Sequence, residues 1–158
     1  MMACGTLAER GIKVTLVEQN PMLGKKLRIT GKGRCNITNI ADMEDFIKNV
    51  PVNGNFLYSA FYTFTNQMLV DLFHSLGLKT KVERGGRVFP ETDNAKDVVD
   101  ALKKYASKKE TTLVQNRVSE LIIQEGRVCG VVLTDGRKLT ADAVVVATGG
   151  KSYPLTGS

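Results

Sequence analysis

Residues 24–39 constrain this chain more than any other stretch, because their composition is unsuited to a packed core. The stretch combines three glycines, five cations and a hydrogen-bonding tail, namely Gly24, Gly31 and Gly33, then Lys25, Lys26, Arg28, Lys32 and Arg34, then Asn36, Thr38 and Asn39. Glycine lets backbone N–H groups approach a ligand closely, and Lys and Arg neutralise phosphate. The stretch therefore indicates a loop shaped for a phosphate-bearing ligand. The alternative is a solvated basic loop in which the glycines only turn the chain.

A helix and a strand are predicted before this loop. Residues 1–10 contain good helix formers and are followed by Gly11, as at a helix C-terminus. Residues 12–18 form a short β-branched run that ends in Glu18, which predicts a strand with an acid at its end. A helix, a glycine, a strand and an acid make the second half of a dinucleotide-binding βαβ unit, in which the acid accepts hydrogen bonds from a ribose. Glu18 is the candidate acid, and the alternative is a solvated charge at a strand end.

The first half of such a unit is not found in the sequence. Its glycine-rich phosphate loop is expected roughly 20 residues before the acid, which places it at or before residue 1. No G-x-G-x-x-G occurs in the 158 residues. We therefore expect the sequence to begin inside the first helix of the unit, without the opening strand and its phosphate loop.

The last residues predict a second strand end that faces a ligand. Residues 141–148 are mostly apolar, without a polar break from Ala143 to Ala147, as in a parallel strand buried on both faces. Thr148, Gly149 and Gly150 would then stand at the carboxyl edge of the sheet, where ligands bind in open α/β folds. We expect this edge and Glu18 to converge on one ligand.

Between these ends the sequence predicts helices and short strands in turn. Apolar side chains recur at helical spacing over residues 42–50, 65–77 and 93–107, and Thr65 or Asn66 can cap the second of these helices. Strand patterns, separated by glycine turns, cover residues 79–83, 87–89, 112–115, 118–124, 127–134 and 138–140. The last three of these strands are expected to be joined by turns at Glu125-Gly126 and Asp135-Gly136. The aromatic residues between positions 56 and 64 are expected to pack in the core.

Together these features resemble the BaiN-type NAD(P)/FAD-dependent oxidoreductases, a bacterial and archaeal flavoprotein family. Two long signatures carry the resemblance: residues 24–39, and residues 147–158, which read Ala-Thr-Gly-Gly-Lys-Ser-Tyr-Pro-Leu-Thr-Gly-Ser. It implies an α/β fold, a partial Rossmann-like FAD-binding domain over residues 1–158, with a parallel sheet and an antiparallel β-meander in a three-layer ββα arrangement. The glycine loop is missing, and the sequence stops within the second signature.

The resemblance also implies a cofactor and its contacts. An acid at position 18 suits a ribose hydroxyl better than a 2′-phosphate, and the meander and the family select FAD. Glu18 would contact the adenosine ribose, and Val118, just before the meander, the adenine. Lys25, Lys26 and Arg34 would lie near phosphate or ribose. The other predicted cofactor contacts are Gly24, Gly31, Gly33, Cys35, Asn36, Thr38, Thr148, Gly149 and Gly150.

The expected enzyme is an FAD-dependent oxidoreductase that moves hydride between a small organic substrate and the flavin, with NAD(P)H as the candidate co-substrate. No residue receives a catalytic acid or base role. The net charge of +6 favours anionic ligands, so a basic nucleic-acid-binding module is the rival from another class. A third interpretation is an inactive fragment of the flavoprotein. No apolar run approaches the ~18 residues of a membrane span, and residues 1–10 lack the charged start and apolar centre of a signal peptide, so a cytoplasmic location is expected.

The cysteines and the single histidine predict no metal site. Cys4, Cys35 and Cys129 form no C-x-x-C motif and are odd in number, so no disulfide framework is expected. Cys35 lies in the cationic loop, where a lowered thiol pKa and a redox role are a hypothesis, and a small residue near the ligand is the alternative. His74 has no second histidine at ligand spacing and is expected on the surface of its helix.

Overall fold

A computed structural model describes residues 1–150, which divide into two compact units. Unit 1 consists of residues 1–26 together with the described chain from residue 102 onward, and unit 2 consists of residues 27–101. One pair of strands is parallel and the other two sheets are antiparallel, which confirms the predicted α/β class. The prediction of a single partial domain over residues 1–158 stays a prediction.

The elements follow the predicted order closely. The helices of the described chain are α1 (Met2–Glu9), α2 (Met43–Lys48), α3 (Tyr58–Thr63), α4 (Asn66–Ser75) and α5 (Ala95–Ala106). The strands are β1 (Val14–Glu18), β2 (Thr38–Asn39), β3 (Thr80–Glu83), β4 (Arg87–Pro90), β5 (Thr111–Gln115), β6 (Val118–Gln124), β7 (Arg127–Leu133) and β8 (Lys138–Thr140). Short 3₁₀ turns occupy Leu27–Gly33 and Gly54–Leu57. Within residues 1–150 no helix combines the length and the apolar content needed to cross a membrane.

Unit 1 contains the parallel pair, in which β1 lies beside β5 with Glu18 opposite Gln115. Helix α1 buries Cys4 and Ala8. A Cβ on Gly5 would lie 2.3 Å from the Tyr105 ring, so only glycine allows α1 to approach that ring so closely. The close packing of α1 within the unit therefore depends on a missing side chain.

The meander of unit 1 has the predicted antiparallel order β6–β7–β8. Val131 and Leu133 of β7, its central strand, are buried. Glu125 and Gly126 both have left-handed backbones, with φ of +49° and +76°, as the tight turn of a hairpin requires. The predicted Glu125-Gly126 turn is confirmed.

Unit 2 is built around a three-stranded antiparallel sheet with the order β2–β4–β3. Val88 and Phe89 are adjacent in the central strand, so their side chains point to opposite faces of the sheet, and both are buried. The Thr65 hydroxyl accepts a hydrogen bond from the Met68 N–H at 3.1 Å, which confirms the predicted N-cap of α4. His74 on α4 is exposed, as expected, and its Nε2 lies 2.8 Å from the Thr80 hydroxyl.

The expectation of a buried parallel strand over residues 141–148 is wrong for this structure. No strand is assigned to this segment, and Val145 and Val146 are 65% and 68% exposed. A strand needs a hydrogen-bonded neighbour as well as apolar side chains. Within residues 1–150, none of the paired strands takes this segment as a partner.

The expectation that the aromatic residues 56–64 pack in the core is also wrong. Phe56 is 85% exposed, and Tyr58 and Tyr62 are about half exposed. These two tyrosines stack on each other with ring centroids 4.5 Å apart, and Phe61 meets Phe46 edge to face at 5.3 Å. The helical spacing brings Tyr58 and Tyr62 together on neighbouring turns of α3 and leaves about half of their surface in solvent.

Candidate functional site

Glu18 ends β1, and its carboxylate is held by the residue two positions later. The backbone N–H and the side-chain amide of Asn20 both donate to Oε1 of Glu18, at 2.8 and 2.7 Å. The carbonyl of Glu18 accepts the Asn116 N–H at 3.0 Å. In the part of the chain that the structure describes, Oε2 of Glu18 carries none of these bonds. The carboxylate is thus oriented through one oxygen, and the other keeps its accepting capacity.

The turn after β1 connects this acid to the glycines near the end of the described chain. Lys25 Nζ donates to Oδ1 of Asn20 at 3.2 Å, and Lys26 Nζ donates to the Gly150 carbonyl at 2.9 Å. Gly149 has a φ of +88°, and a Cβ there would lie 3.8 Å from Lys26 Nζ. The turn therefore brings Lys26 to Gly149 and Gly150. Gly24 precedes the two lysines with a φ of +72°.

Thr148 and Val118 are the remaining predicted contacts in unit 1. Thr148 directly precedes Gly149, next to the Lys26 contact. Val118 begins β6 opposite Leu133 and is 38% exposed. It follows by two residues Asn116, whose N–H donates to the Glu18 carbonyl. These positions are compatible with contact to a ligand at the end of β1, and their assignment stays a prediction.

The part of the basic stretch that belongs to unit 2, residues 27–39 and called the basic loop below, has an unusual backbone. Its turn over Leu27–Gly33 is interrupted by Gly31 and Lys32, and three successive residues, Gly31, Lys32 and Gly33, have φ of +55°, +56° and +86°. A Cβ on Gly31 would lie 3.0 Å from the backbone nitrogen of Asn36, so glycine is required there for close approach as well as for conformation. The Thr30 carbonyl accepts the Cys35 N–H at 3.0 Å and closes the loop.

Arg34, predicted near phosphate or ribose, lies among carboxylates. Its Nη2 bonds to Glu83 and to Asp93, and its Nε donates to Asp93 at 2.9 Å. Lys81 Nζ also lies 2.5 Å from Asp93. The guanidinium carbon stands 4.3 Å from the centre of the Phe89 ring. Hydrogen bonds to Glu83 and then to Asp93 raise the pKa of Arg34, while those from Lys81 and then from Arg34 lower the pKa of Asp93.

Cys35 does not have the reactive environment expected of a redox thiol. The residue is only 2% exposed and has a φ of +59°. Burial raises the pKa of its thiol, and a hydrogen bond with Thr30 offsets this only in part. The expectation of a lowered pKa is therefore wrong, because the thiol is buried and burial disfavours the charged thiolate.

Asn36 and Thr38 tie the end of the loop to the sheet of unit 2. The Asn36 side-chain amide donates to the carbonyls of Thr38, at 2.8 Å, and Val88, at 3.1 Å. Thr38 pairs with Val88 across β2 and β4. Both residues thus have structural partners, and their predicted contact with a cofactor remains a prediction.

Arg28 is one of the five cations of residues 24–39, and the sequence predicted no individual contact for it. Its Nε is buried and has no hydrogen-bond partner in the described chain. The signal in the sequence was its position between Leu27 and Ile29, since an arginine flanked by apolar residues is often partly covered.

Other features of the described residues assign no further chemistry. Residues 1–150 contain no group of three or more His, Cys, Asp or Glu side chains arranged to hold a metal ion. An open surface hollow of about 840 Å³ in unit 2 lies between Ile47 and Phe56, and it contains none of the predicted site residues. The charged and hydrogen-bonding groups at the end of β1 and in the basic loop are therefore the better guide to function.

Comparison with known proteins gives these features a context. The model of the HI0933-like protein Rossmann domain matches residues 1–158. The 3-dehydro-bile acid delta(4,6)-reductase of Clostridium scindens is 33% identical over 148 residues, which cover 92% of this chain and 35% of that protein. The ribosomal RNA dihydrouridine synthase of Escherichia coli is 28% identical over 159 residues, or 99% of this chain and 38% of that protein.

The name of a third relative describes an oxidase. The L-aspartate oxidase of Pyrococcus abyssi is 31% identical over 155 residues, which cover 92% of this chain and 29% of that protein. The chain thus spans about a third of the length of each of these relatives. All three matches extend over nearly the whole chain, including the end of β1 and the basic loop.

Proposed function

Because the chain belongs to the HI0933-like Rossmann domain family, we propose that it forms part of the FAD-binding domain of a flavin-dependent oxidoreductase. The family is one of flavoprotein oxidoreductases, and the names of two relatives describe a reductase and an oxidase. The observation that carries the proposal is the carboxylate of Glu18. It stands at the carboxyl end of a parallel strand, with Oε1 fixed by Asn20 and Oε2 available to a donor.

The residues of unit 1 fit the adenosine half of FAD. Ribose hydroxyls are donors, and Oε2 of Glu18 is an oriented acceptor. Lys26 donates to a neutral carbonyl, so its positive charge can serve a phosphate. Gly149 and Gly150 leave room for close approach, and Thr148 adds a hydroxyl beside them. Bound FAD supplies hydride transfer at its isoalloxazine ring.

The acid also gives a preference among nucleotides. A carboxylate accepts hydrogen bonds from a 2′-hydroxyl and repels a 2′-phosphate. We therefore expect the site to bind FAD or NAD in preference to NADP. The remaining predicted contacts, in unit 2, are Gly31, Gly33, Arg34, Cys35, Asn36 and Thr38, and they keep their assignment as a prediction from the sequence.

The reaction and the partners belong to the same proposal. We propose hydride transfer between the flavin and a small organic substrate, with NAD(P)H as the candidate co-substrate. The names of the relatives include a reductase and an oxidase, so the proposal commits to no direction of transfer. A cytoplasmic location is part of the proposal and rests on the sequence.

Titration of the purified chain with FAD tests the proposal, with quenching of flavin fluorescence as the readout. Glu18→Gln keeps the size of the side chain and removes its charge, so we expect affinity for FAD to fall by about tenfold or more, the value of a hydrogen bond to a charged group. Glu120→Gln, on the exposed face of β6, is the control and should leave affinity unchanged.

Two results would count against this function. A wild-type chain that neither quenches flavin fluorescence nor retains flavin colour would reject FAD binding by these residues. Colourless protein that shifts an RNA band, with affinity that falls steeply as salt rises, would favour the nucleic-acid-binding module instead.

A further inference from the structure

Asn20 links the acid at the end of β1 to a cation. Its side-chain amide donates through Nδ2 to Oε1 of Glu18 at 2.7 Å, and its Oδ1 accepts from Lys25 Nζ at 3.2 Å. The backbone N–H of Asn20 makes a second bond to the same carboxylate oxygen, at 2.8 Å. All three residues are half-buried and belong to unit 1. Lys25, Asn20 and Glu18 thus form one hydrogen-bonded series of side chains that ends on the acid.

The two partners of Asn20 together fix the orientation of its amide. Nδ2 only donates and Oδ1 only accepts, whereas an ammonium only donates and a carboxylate only accepts. If the amide turned over, Oδ1 would face Glu18 and Nδ2 would face Lys25, so both contacts would become repulsive. Lys25 therefore holds the donor end of Asn20 toward the carboxylate. Both bonds involve a charged partner, and such bonds are stronger than those between neutral groups.

Lys26 provides the internal comparison, because it directly follows Lys25 and has a partner of another kind. Its Nζ donates to the Gly150 carbonyl at 2.9 Å. Within residues 1–150 this hydrogen bond leads to the backbone and not to Asn20 or Glu18. The two neighbouring lysines therefore make different contacts, although the sequence predicted one role, near phosphate or ribose, for both.

We propose that Lys25 and Asn20 are positioning residues for the Glu18 carboxylate, and that through it they determine how strongly the site selects ribose over deoxyribose. The inference rests on the proposed function, in which Oε2 of Glu18 accepts a ribose hydroxyl. Because two donors of Asn20 hold Oε1, Oε2 is oriented before the nucleotide arrives, and binding does not have to order it. Lys25 thus serves the nucleotide through Asn20 and not as a phosphate contact.

The test measures the binding of ADP and of 2′-deoxy-ADP to the whole chain by calorimetry. The two nucleotides differ by one ribose hydroxyl, carry the same phosphates and contain no flavin. The variants are Lys25→Met, Asn20→Ala, their combination and Lys26→Met, and the control is Lys13→Met, at an exposed lysine just before β1. Titration at physiological salt screens the longer-range attraction between lysines and phosphates.

We expect the wild type to bind ADP about tenfold or more tightly than 2′-deoxy-ADP, since the missing hydroxyl removes a hydrogen bond to a charged group. Lys25→Met should weaken ADP binding by about three- to tenfold, the value of an ordinary hydrogen bond, with a much smaller effect on 2′-deoxy-ADP. In the Asn20→Ala background the same substitution should have no further effect, because its connection to Glu18 is gone. Lys26→Met should weaken both nucleotides by the same factor, and Lys13→Met should weaken neither.

Several results would overturn the positioning role. Equal losses for both nucleotides in Lys25→Met, repeated in the Asn20→Ala background, would show a direct phosphate contact. Unchanged selection of ADP in Lys25→Met would show that Asn20 needs no support from the lysine. A Lys25→Met chain that does not fold would show that the lysine serves the fold itself.

The proposed function can fail separately from this inference. A wild type that selects ADP, loses that selection in Lys25→Met and does not bind FAD would reject the flavoprotein and support the positioning role. A wild type that binds FAD but does not distinguish ADP from 2′-deoxy-ADP would reject the ribose contact of Glu18 and with it the positioning role. A wild type that binds neither FAD nor either ADP would reject both.

Discussion

The turn after β1 in unit 1 and the basic loop in unit 2 both carry cations, but the cations of the two regions have different partners. Lys26 in the turn donates to the Gly150 carbonyl, a neutral group. Arg34 in the loop lies between the carboxylates of Glu83 and Asp93. A cation on a carbonyl keeps its attraction for an anion, whereas a cation between two carboxylates has largely lost it. The number of cations in a basic segment is therefore a poor measure of how strongly it binds anions.

The comparison assumes that the basic loop of unit 2 has a fixed backbone. Gly31→Ala tests this assumption with the largest expected effect. The new Cβ would lie 3.0 Å from the Asn36 nitrogen in a residue with φ of +55°. We expect the free energy of unfolding to fall by about 2–3 kcal/mol, the sum of left-handed strain and overpacking. Urea unfolding measures the change.

Gly33→Ala is the matched control in the same loop. Its φ is +86°, but a Cβ there would meet nothing closer than the Arg28 carbonyl at 4.0 Å. Only the left-handed cost of about 1 kcal/mol is then expected. Equal losses for the two variants would mean that Asn36 moves aside and that the loop is not rigid.

A smaller effect, of opposite sign, is expected from Lys32→Gly. Lys32 has a φ of +56°, which glycine adopts without strain. We expect stability to rise by about 0.5–1 kcal/mol, since the relief of strain exceeds the extra freedom of glycine in the unfolded chain. Glu125→Gly, at φ +49° in the β6–β7 turn of unit 1, is the counterpart and should gain a similar amount. A loss of stability at Lys32 alone would show that its side chain has a structural role.

The smallest expected effect is the acid response of Asp93, because its carboxylate is well solvated. Lys81 and then Arg34 lower its pKa below the ordinary value of 3.8. Its contribution to stability is therefore complete above the pKa of the unfolded chain and is lost as the pH falls through the lower folded-state pKa. Between about pH 6 and about pH 2, Asp93→Asn should lose less stability than the wild type.

Asp135 in unit 1 provides a second carboxylate with which the acid response of Asp93 can be compared. Its pKa is lowered first by the backbone N–H of Arg137 and then by the Arg137 side chain. Added salt screens exposed charges and should therefore reduce the acid response of Asp93 more than that of Asp135. Melting temperatures at several pH values, with and without salt, follow both. The same salt dependence for the two carboxylates would contradict the view that Arg34 belongs to a network of charges.

Local signals in the sequence were sufficient for much of the fold. The strands over residues 118–124 and 138–140 have their predicted bounds, because alternation and a glycine turn define a hairpin within a few residues. The predicted cap at Thr65 likewise depends only on the next three residues. The prediction of a strand over residues 141–148 was wrong because an apolar run does not reveal which strand will pair with it.

The candidate site shows the same limit. An acid at the end of β1 was predictable, since strand pattern and acid are adjacent in sequence. The carboxylates that neutralise Arg34 lie 49 and 59 residues further along the chain, and no neighbour of Arg34 in the sequence indicates them. The burial of Cys35 was missed for the same reason, because the polar neighbours of a residue in sequence do not tell which side of the loop its side chain occupies.

That burial makes Cys35 a reporter of how often the loop opens. With only 2% of the residue exposed, an alkylating reagent cannot reach its sulfur while the loop is closed. Modification must wait for a local opening, so its rate records the frequency of that event, as hydrogen exchange does for buried amides. The half-buried Cys129 in β7 provides the reference alkylation rate of a more accessible thiol in the same molecule. The chain thus carries its own probe of loop motion, without any added label.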